Sequence, residues 1–261
     1  MYNQASIYKG GGVYNLGDGA STKLPANTLR FLFSKSDYDP TEAGVGSSGT
    51  WKKVSAKFHN VWDWTATDNS FSESFFGAFT SEDNLVSVVA AGDCSSVTSM
   101  FRMFRGCTSL VSCCLFDSSS VTTIAAAFFG CTNLKEIPQF ETSSVIIAEY
   151  AFNNCKNVKA IPLLDTSAMS NVDSIFSGCS NVESGALALY TQMSTQTTPP
   201  STHANAFLRC GANTTTGSAE LAQIPASWGG TAPATLNMGA PQNLTEPLSP
   251  SVIEGDDSLT K

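Results

Sequence analysis

Eight cysteines and two histidines are the residues of this 261-residue chain best suited to act as nucleophiles or metal ligands. Four of the cysteines recur in step: Cys107, Cys131, Cys155 and Cys179, with 131 − 107 = 155 − 131 = 179 − 155 = 24. Structural zinc requires ligand pairs a few residues apart on one loop, as in Cys-x-x-Cys. Here Cys113 and Cys114 are adjacent, and Cys107 lies six residues before Cys113. A disulfide between neighbouring copies would need Cα atoms within about 7 Å. Free cysteine behaves as a small buried hydrophobe, so the in-phase placement predicts a ladder of packed, reduced thiols. In the closing unit His203 and Cys210 form the sole conceivable nucleophile pair, but they stand seven residues apart in a Thr/Pro-rich segment without a neighbouring carboxylate.

A second phased set is acidic: Asp93, Asp117, Glu141 and Asp165. Stacked carboxylates repel unless they are solvated, capping backbone N–H groups or binding a cation. Ser or Thr residues follow each one closely, which favours helix-start and turn duty. Weak calcium binding is the sharper alternative, with no Asp-x-Asp-x-Asp-Gly loop to support it. The chain has no G-x-S-x-G, Walker, HExxH or GxGxxG sequence. No catalytic residue, metal ligand or cofactor is therefore assigned, and the expectation is a protein that is not an enzyme. Trp51, Trp62 and Trp64 could stack on sugar rings, or could pack beneath an end cap.

The elements that must position these residues follow from the same period. Phe104, Phe128, Phe152 and Phe176 keep the 24-residue interval, as do Val97, Val121, Val145 and Met169, and Leu110, Leu134, Val158 and Val182. Within a unit, positions 121, 124 and 128 step by three and four and enclose Ala125 to Ala127, which predicts a short helix ended by Gly130. Leu134 to Ile137 predicts a short strand closed by Pro138. Such a unit cannot bury its apolar face alone, so copies must stack. The expected fold is an α/β leucine-rich-repeat solenoid, one short strand plus one short helix per unit, with a small β-rich N-terminal cap. Outward positions on the strand face include Ser112, Lys135, Glu136, Lys159 and Glu183, the candidate binding residues of a face suited to weak or multivalent contact.

The unit Asp-Thr/Ser-Ser-x-Val-x-x-Met/Ile-x-x-x-Phe-x-Gly-Cys-x-x-Leu, at Asp93 to Leu110, Asp117 to Leu134 and Asp165 to Val182, resembles the BspA-like leucine-rich repeats of bacterial surface proteins. Similar repeat chains also occur in gut bacteria and their phages. The resemblance implies a leucine-rich-repeat fold and an adhesion or interaction role at a surface, and it brings no catalytic residues.

Outside the repeats, residues 1–22 read as a Gly-rich arm, 23–70 as the β-rich cap, 71–190 as the repeats, 191–230 as a divergent closing repeat and 231–261 as a Pro-rich extended tail. In the cap, Leu29, Phe31 and Phe33 alternate with Arg30 and Leu32, and Trp62 and Trp64 flank Asp63 on one strand face. A formal charge of −8 without a basic cluster argues against nucleic acid and anionic lipid. No apolar run approaches the roughly 18–20 residues of a membrane span, and the first ten residues lack a basic n-region and an apolar h-region, so neither membrane insertion nor a secretory signal is expected.

The functional expectation is a binding or adhesion module displayed on a virion, as a phage head or tail decoration protein. Its partner would be a protein or glycan on a host surface, and its arm could dock to other virion proteins or support a homo-oligomer. The alternative is a secreted or cell-surface bacterial adhesin. A hydrolase with a site on the cap, near His59, is the rival from another class.

Overall fold

Alternating apolar residues in the cap form the strands that the pattern predicts. A computed structural model describes residues 7–9, 12–14, 24–43, 49–54, 60–66, 84–114 and 118–232. Strands β1 (Ile7–Lys9) and β2 (Gly12–Tyr14) make an antiparallel pair within the Gly-rich arm. β3 (Thr28–Phe33), β4 (Gly49–Val54), β5 (Asn60–Ala66), β6 (Leu85–Ala91) and β7 (Ser112–Cys113) form a mixed sheet in the order β4-β5-β3-β6-β7. Every pairing is antiparallel except β6 with β7. Leu29, Phe31 and Phe33 share one face with Trp62 and Trp64, their partners or near partners on β5, and all five are buried. On the other face Arg30 Nε donates to Asp63 Oδ1 at 2.6 Å and Nη2 donates to Oδ2 at 2.9 Å, a bidentate pair across the strands.

The expected solenoid of one strand and one helix per unit is not what the chain forms. Regular structure is concentrated in the mixed sheet, and among the described residues the α-helices are two short ones, α1 (Ala186–Thr195) and α2 (Thr215–Leu221). Both follow the four phased units. Within the units, the predicted helix is replaced by consecutive turns and the predicted strand at Leu134 to Ile137 is irregular.

Hydrogen bonding explains the outcome. An α-helix sends each N–H to the carbonyl four residues back. Here alternate N–H groups leave the unit: those of Met100, Arg102, Phe104 and Gly106 donate to Thr123, Ala125, Ala127 and Phe129 in the next, at 2.6–2.9 Å. The intervening N–H groups of Met103, Arg105 and Cys107 close three-residue turns onto Met100, Arg102 and Phe104, each at 3.1 Å. The same exchange joins Ile124, Ala126, Phe128 and Gly130 to Ile147, Glu149, Ala151 and Asn153. Reversing direction so often needs two left-handed residues per unit. They are Arg102, Ala126, Tyr150 and Ser174 at one position, and Gly106, Gly130, Asn154 and Gly178 at the other. Ala has the best helix propensity, yet the run Ala125 to Ala127 is overridden by backbone bonds to both neighbouring units.

Each unit thus becomes a rung, with isolated parallel bridges running Ser99–Thr123–Ile147–Asn171–Thr202. Like residues stand in columns. The rings of Phe104, Phe128, Phe152, Phe176 and Phe207 follow one another at 5.2, 5.4, 5.3 and 6.1 Å and are wholly buried. One continuous apolar cluster runs from Leu29 in β3, through all the rungs, to Trp228 in the short 3-10 turn Ala226–Trp228. The closing segment seals the far end. Phe207 N–H donates to Trp228 O at 2.8 Å, and Glu220 of α2 accepts from Gly185 and Leu187 N–H at 3.2 and 3.1 Å, supplying the carboxylate that the start of α1 lacks locally.

Candidate functional site

The phased cysteines are structural. Cys107, Cys131, Cys155, Cys179 and Cys210 are free and buried. The thiols of Cys131, Cys155 and Cys179 donate to the carbonyls of Phe104, Phe128 and Phe152 one rung earlier, at 3.0–3.1 Å. Burial pushes these thiols up, Cys179 to about 12 and Cys131 and Cys155 well above their ordinary value, so the reactive thiolate is suppressed. Cys113 and Cys114, at the end of β7, are also raised by burial and then by neighbouring thiols, Cys114 to about 12. Among the described residues no group of three or more His, Cys, Asp or Glu is placed to hold a metal ion.

The acidic row serves turns rather than helix starts. Asp93 Oδ1 accepts from Ser95 N–H and Oγ at 3.0 and 2.7 Å, and Asp165 Oδ1 accepts from Ser167 N–H and Oγ at 3.0 and 2.6 Å. These bonds hold the Asp165 carboxyl below the usual range. Glu141 departs from the pattern: its main-chain carbonyl takes the Ser118 hydroxyl at 3.0 Å. Asp117 and His59 lie outside the described residues.

His203 stacks flat on Trp228, ring centroids 4.0 Å apart, while Cys210 is buried in the core. Beside His203 an open depression of about 290 Å³ is lined by Asp173, Ser201, Thr202, Ala204 and Ser227. Its acid and base are committed to the backbone. Asp173 Oδ1 accepts from Ala204 N–H at 2.6 Å, and His203 Nδ1 lies 3.4 Å from Ser227 O. No nucleophile–base–carboxylate relay is assembled there.

The candidate sugar-stacking tryptophans pack inward. Trp64 and Trp62 are buried, and Trp62 Nε1 donates to Asn60 Oδ1 at 2.7 Å. Half-buried Trp51 leans on Phe31, Phe33 and Trp62 at 5.3, 6.0 and 6.4 Å. An indole can stack on a sugar only through an open ring face, which Trp62 and Trp64 do not offer. Their apolar bodies close the end of the rung core.

The candidate strand-face residues divide into two columns. Lys135, Lys159 and Glu183 occupy one, and Ser112 and Glu136 the other, continued by Ala160 and Ser184. Main-chain bonds from Lys135 to Val111 O and from Glu183 to Lys159 O, at 3.2 and 2.7 Å, put successive members side by side. Only Ser112 lies in a true strand, where its Oγ is 2.8 Å from Ser87 Oγ. Lys159 Nζ pairs with Glu183 Oε1 at 2.9 Å, both more than half exposed, so the pair contributes little stability and remains available to solvent. Leu163, four residues beyond Lys159, is 67% exposed.

The sequence patterns missed a second surface. Ile146, Ile147 and Tyr150 are 46, 39 and 43% exposed on the turn segment of the third rung. Their signal was in the columns. Ile146 aligns with Thr98, Thr122 and Ser170, and Ile147 with Ser99, Thr123 and Asn171, so both are apolar where every neighbour is polar. Around them Phe129 meets Tyr150 edge-on at 6.4 Å, and the guanidiniums of Arg102 and Arg105 lie over Phe101 and Phe129 at 4.8 and 5.1 Å.

Comparison with known proteins gives one finding. A family described as "Mycoplasma protein of unknown function, DUF285" matches residues 69–189, and that family is associated with BspA-like surface repeat proteins. No curated protein and no solved structure matches the chain. No helix among the described residues is long and apolar enough to cross a membrane.

Proposed function

We propose that the chain is a non-enzymatic binding module displayed at a surface, where its exposed columns engage a protein or glycan. The supporting observation is the separation of roles along each rung. Phe, Cys, Val and Leu columns build a continuous buried core, while outward columns change from rung to rung, Val111, Lys135, Lys159 and Glu183 in one and Ser112, Glu136, Ala160 and Ser184 in the other. Such an edge can vary its chemistry at constant backbone. Among the described residues it has no large aromatic anchor, and interfaces without one rely on several weak contacts at once.

Display as a phage head or tail decoration protein is the first setting, supported by a Gly-rich arm and a Pro-rich tail, compositions suited to docking on a larger particle. A bacterial cell-surface adhesin is the second, supported by the matching family's association with surface repeat proteins. Antibody labelling of cells and of released particles, viewed by negative stain, separates the two. Binding is tested with the fluorescently labelled chain on intact bacteria and on immobilised mucosal glycans. The double variant Lys135→Glu/Leu163→Asp should lose most of the retained label. Equal retention by the variant, or retention by neither protein, would refute the assignment to this edge.

A further inference from the structure

The turn face carries a charge pattern that matches its own inverse. Its first rung contributes Arg102 and Arg105, its fourth Asp173, and its third Glu149, whose Oε2 accepts from Asn171 Nδ2 of the fourth at 2.9 Å and so leans away from the arginines. Between these ends the second and third rungs are complementary in size. Ala125 and Ala126 are small and nearly covered on the second, where Tyr150, Ile146 and Ile147 project from the third.

We propose that this face is the contact between two copies of the chain, related by a two-fold axis that passes between the second and third rungs. A two-fold contact is self-complementary: the same patch serves on both sides, with rung order reversed. Rung two then faces rung three of the partner copy, and rung one faces rung four. Tyr150 of each copy lies over Ala126 of the other, its equivalent on the facing rung, and Ile147 lies over Thr123. Arg102 and Arg105 reach the Asp173 and Asn171 end of the second copy. Rung one and rung four are separated by about three steps of 4.8 Å, roughly 14 Å, so both charged ends lie within one compact patch. The cations are already held flat over Phe101 and Phe129, which limits the ordering that contact requires. Arg209, on the fifth rung, lies past the edge of the paired area. The Lys135 edge belongs to a different segment of each rung, so a pair would present two such edges, and weak contacts at each would reinforce one another.

The test is charge reversal with rescue, read as solution mass by light scattering or sedimentation on the full chain. The wild type should show twice its 27.5 kDa mass, with dissociation on dilution and at high salt. Arg105→Glu alone and Asp173→Arg alone should each be monomeric, because each places like charges opposite one another at both ends. An equimolar mixture should recover the dimer as a heterodimer, because the two reversed positions then face each other at one end and the native Arg105 and Asp173 face each other at the other. Tyr150→Glu should be monomeric and gain nothing from mixing. Recovery in the mixture also shows that both charge variants are folded. A wild type that is monomeric at all concentrations overturns the proposal, as does a dimer that survives either reversal, or a mixture that stays monomeric while circular dichroism shows both variants folded. Glycan or cell binding that depends on Tyr150 in a monomeric protein would assign the face to a foreign partner and overturn it equally.

Discussion

Replacing Ala126 and Ala127 in turn with glycine separates the turn ladder from a helix by comparing two adjacent buried residues. Ala126 is left-handed, φ 52°, whereas the neighbouring Ala127 is not, and the two are 9 and 0% exposed. An L-residue in the left-handed region is strained by roughly 1–2 kcal/mol, which glycine relieves. Against that, either substitution costs about 0.4–1 kcal/mol through the freer unfolded chain and about 0.8 kcal/mol for the lost methyl burial. Ala127→Gly, with nothing to relieve, should lose about 1.2–1.8 kcal/mol. Ala126→Gly should stay within about 1 kcal/mol of the wild type on either side. The gap between the variants equals the strain relief, about 1–2 kcal/mol. Equilibrium urea unfolding with a slope near 3 kcal/mol/M would show it as a midpoint difference of roughly 0.3–0.7 M. In a helix, glycine would destabilise both positions alike. Coincident midpoints for the two variants would therefore refute the ladder.

Phe128→Ala removes a ring held between Phe104 and Phe152 and should destabilise by about 3–5 kcal/mol, while exposed Lys135→Ala should change stability by less than about 0.5 kcal/mol in the same urea assay; similar effects would contradict the column. The Asp165 carboxyl is depressed in the folded state, so the stability it contributes is complete above the unfolded value near 3.9 and is lost as pH falls through the lower folded value. The melting-temperature difference between wild type and Asp165→Asn should accordingly shrink below about pH 4, and a difference that grew on acidification would reverse the assigned sign. Native protein at pH 8 should leave Cys131, Cys155 and Cys179 unmodified by maleimide, with all eight cysteines reacting once the chain is unfolded, as read by mass spectrometry. Rapid native labelling of Cys155 would show that the thiol column is not sealed.

The period was legible because packing identical units enforces identical inward residues: Phe and Cys at fixed intervals gave the columns directly. Strands β3 and β5 were legible for the usual reason, alternation around Arg30 and Asp63. The local structure inside a unit was not. Apolar positions at 121, 124 and 128 suit a helix, but they equally suit turns that close every third residue, since both return side chains to one side. The glycines at 106, 130 and 178 announced one left-handed position, whereas the other is filled by Arg102, Ala126, Tyr150 and Ser174, side chains that carry no such signal. Of the candidate edge residues Lys135, Glu136, Lys159 and Glu183 are exposed and Ser112 is half-buried, and the strand invoked to carry them is confined to Ser112 and Cys113. Trp62 and Trp64 could not be assigned by composition, because a ring that caps a core and a ring that meets a sugar have the same sequence appearance.

The alternation of departing and returning N–H groups gives the chain a spatial reading frame. One residue inserted between Met100 and Cys107, or at the equivalent place in a later unit, would exchange donors that leave the rung with donors that stay, and would turn the buried Phe and Cys outward. Extra length is therefore confined to the connections. The interval from Cys179 to Cys210 is 210 − 179 = 31 residues, seven beyond the period, and the surplus falls in the stretch containing Ala186–Thr195, after which the exchange resumes in phase at Val172 to Thr202. Growth or shortening by whole 24-residue blocks preserves every inward contact. The number of blocks is then a free variable that sets the reach of the molecule without altering its interior.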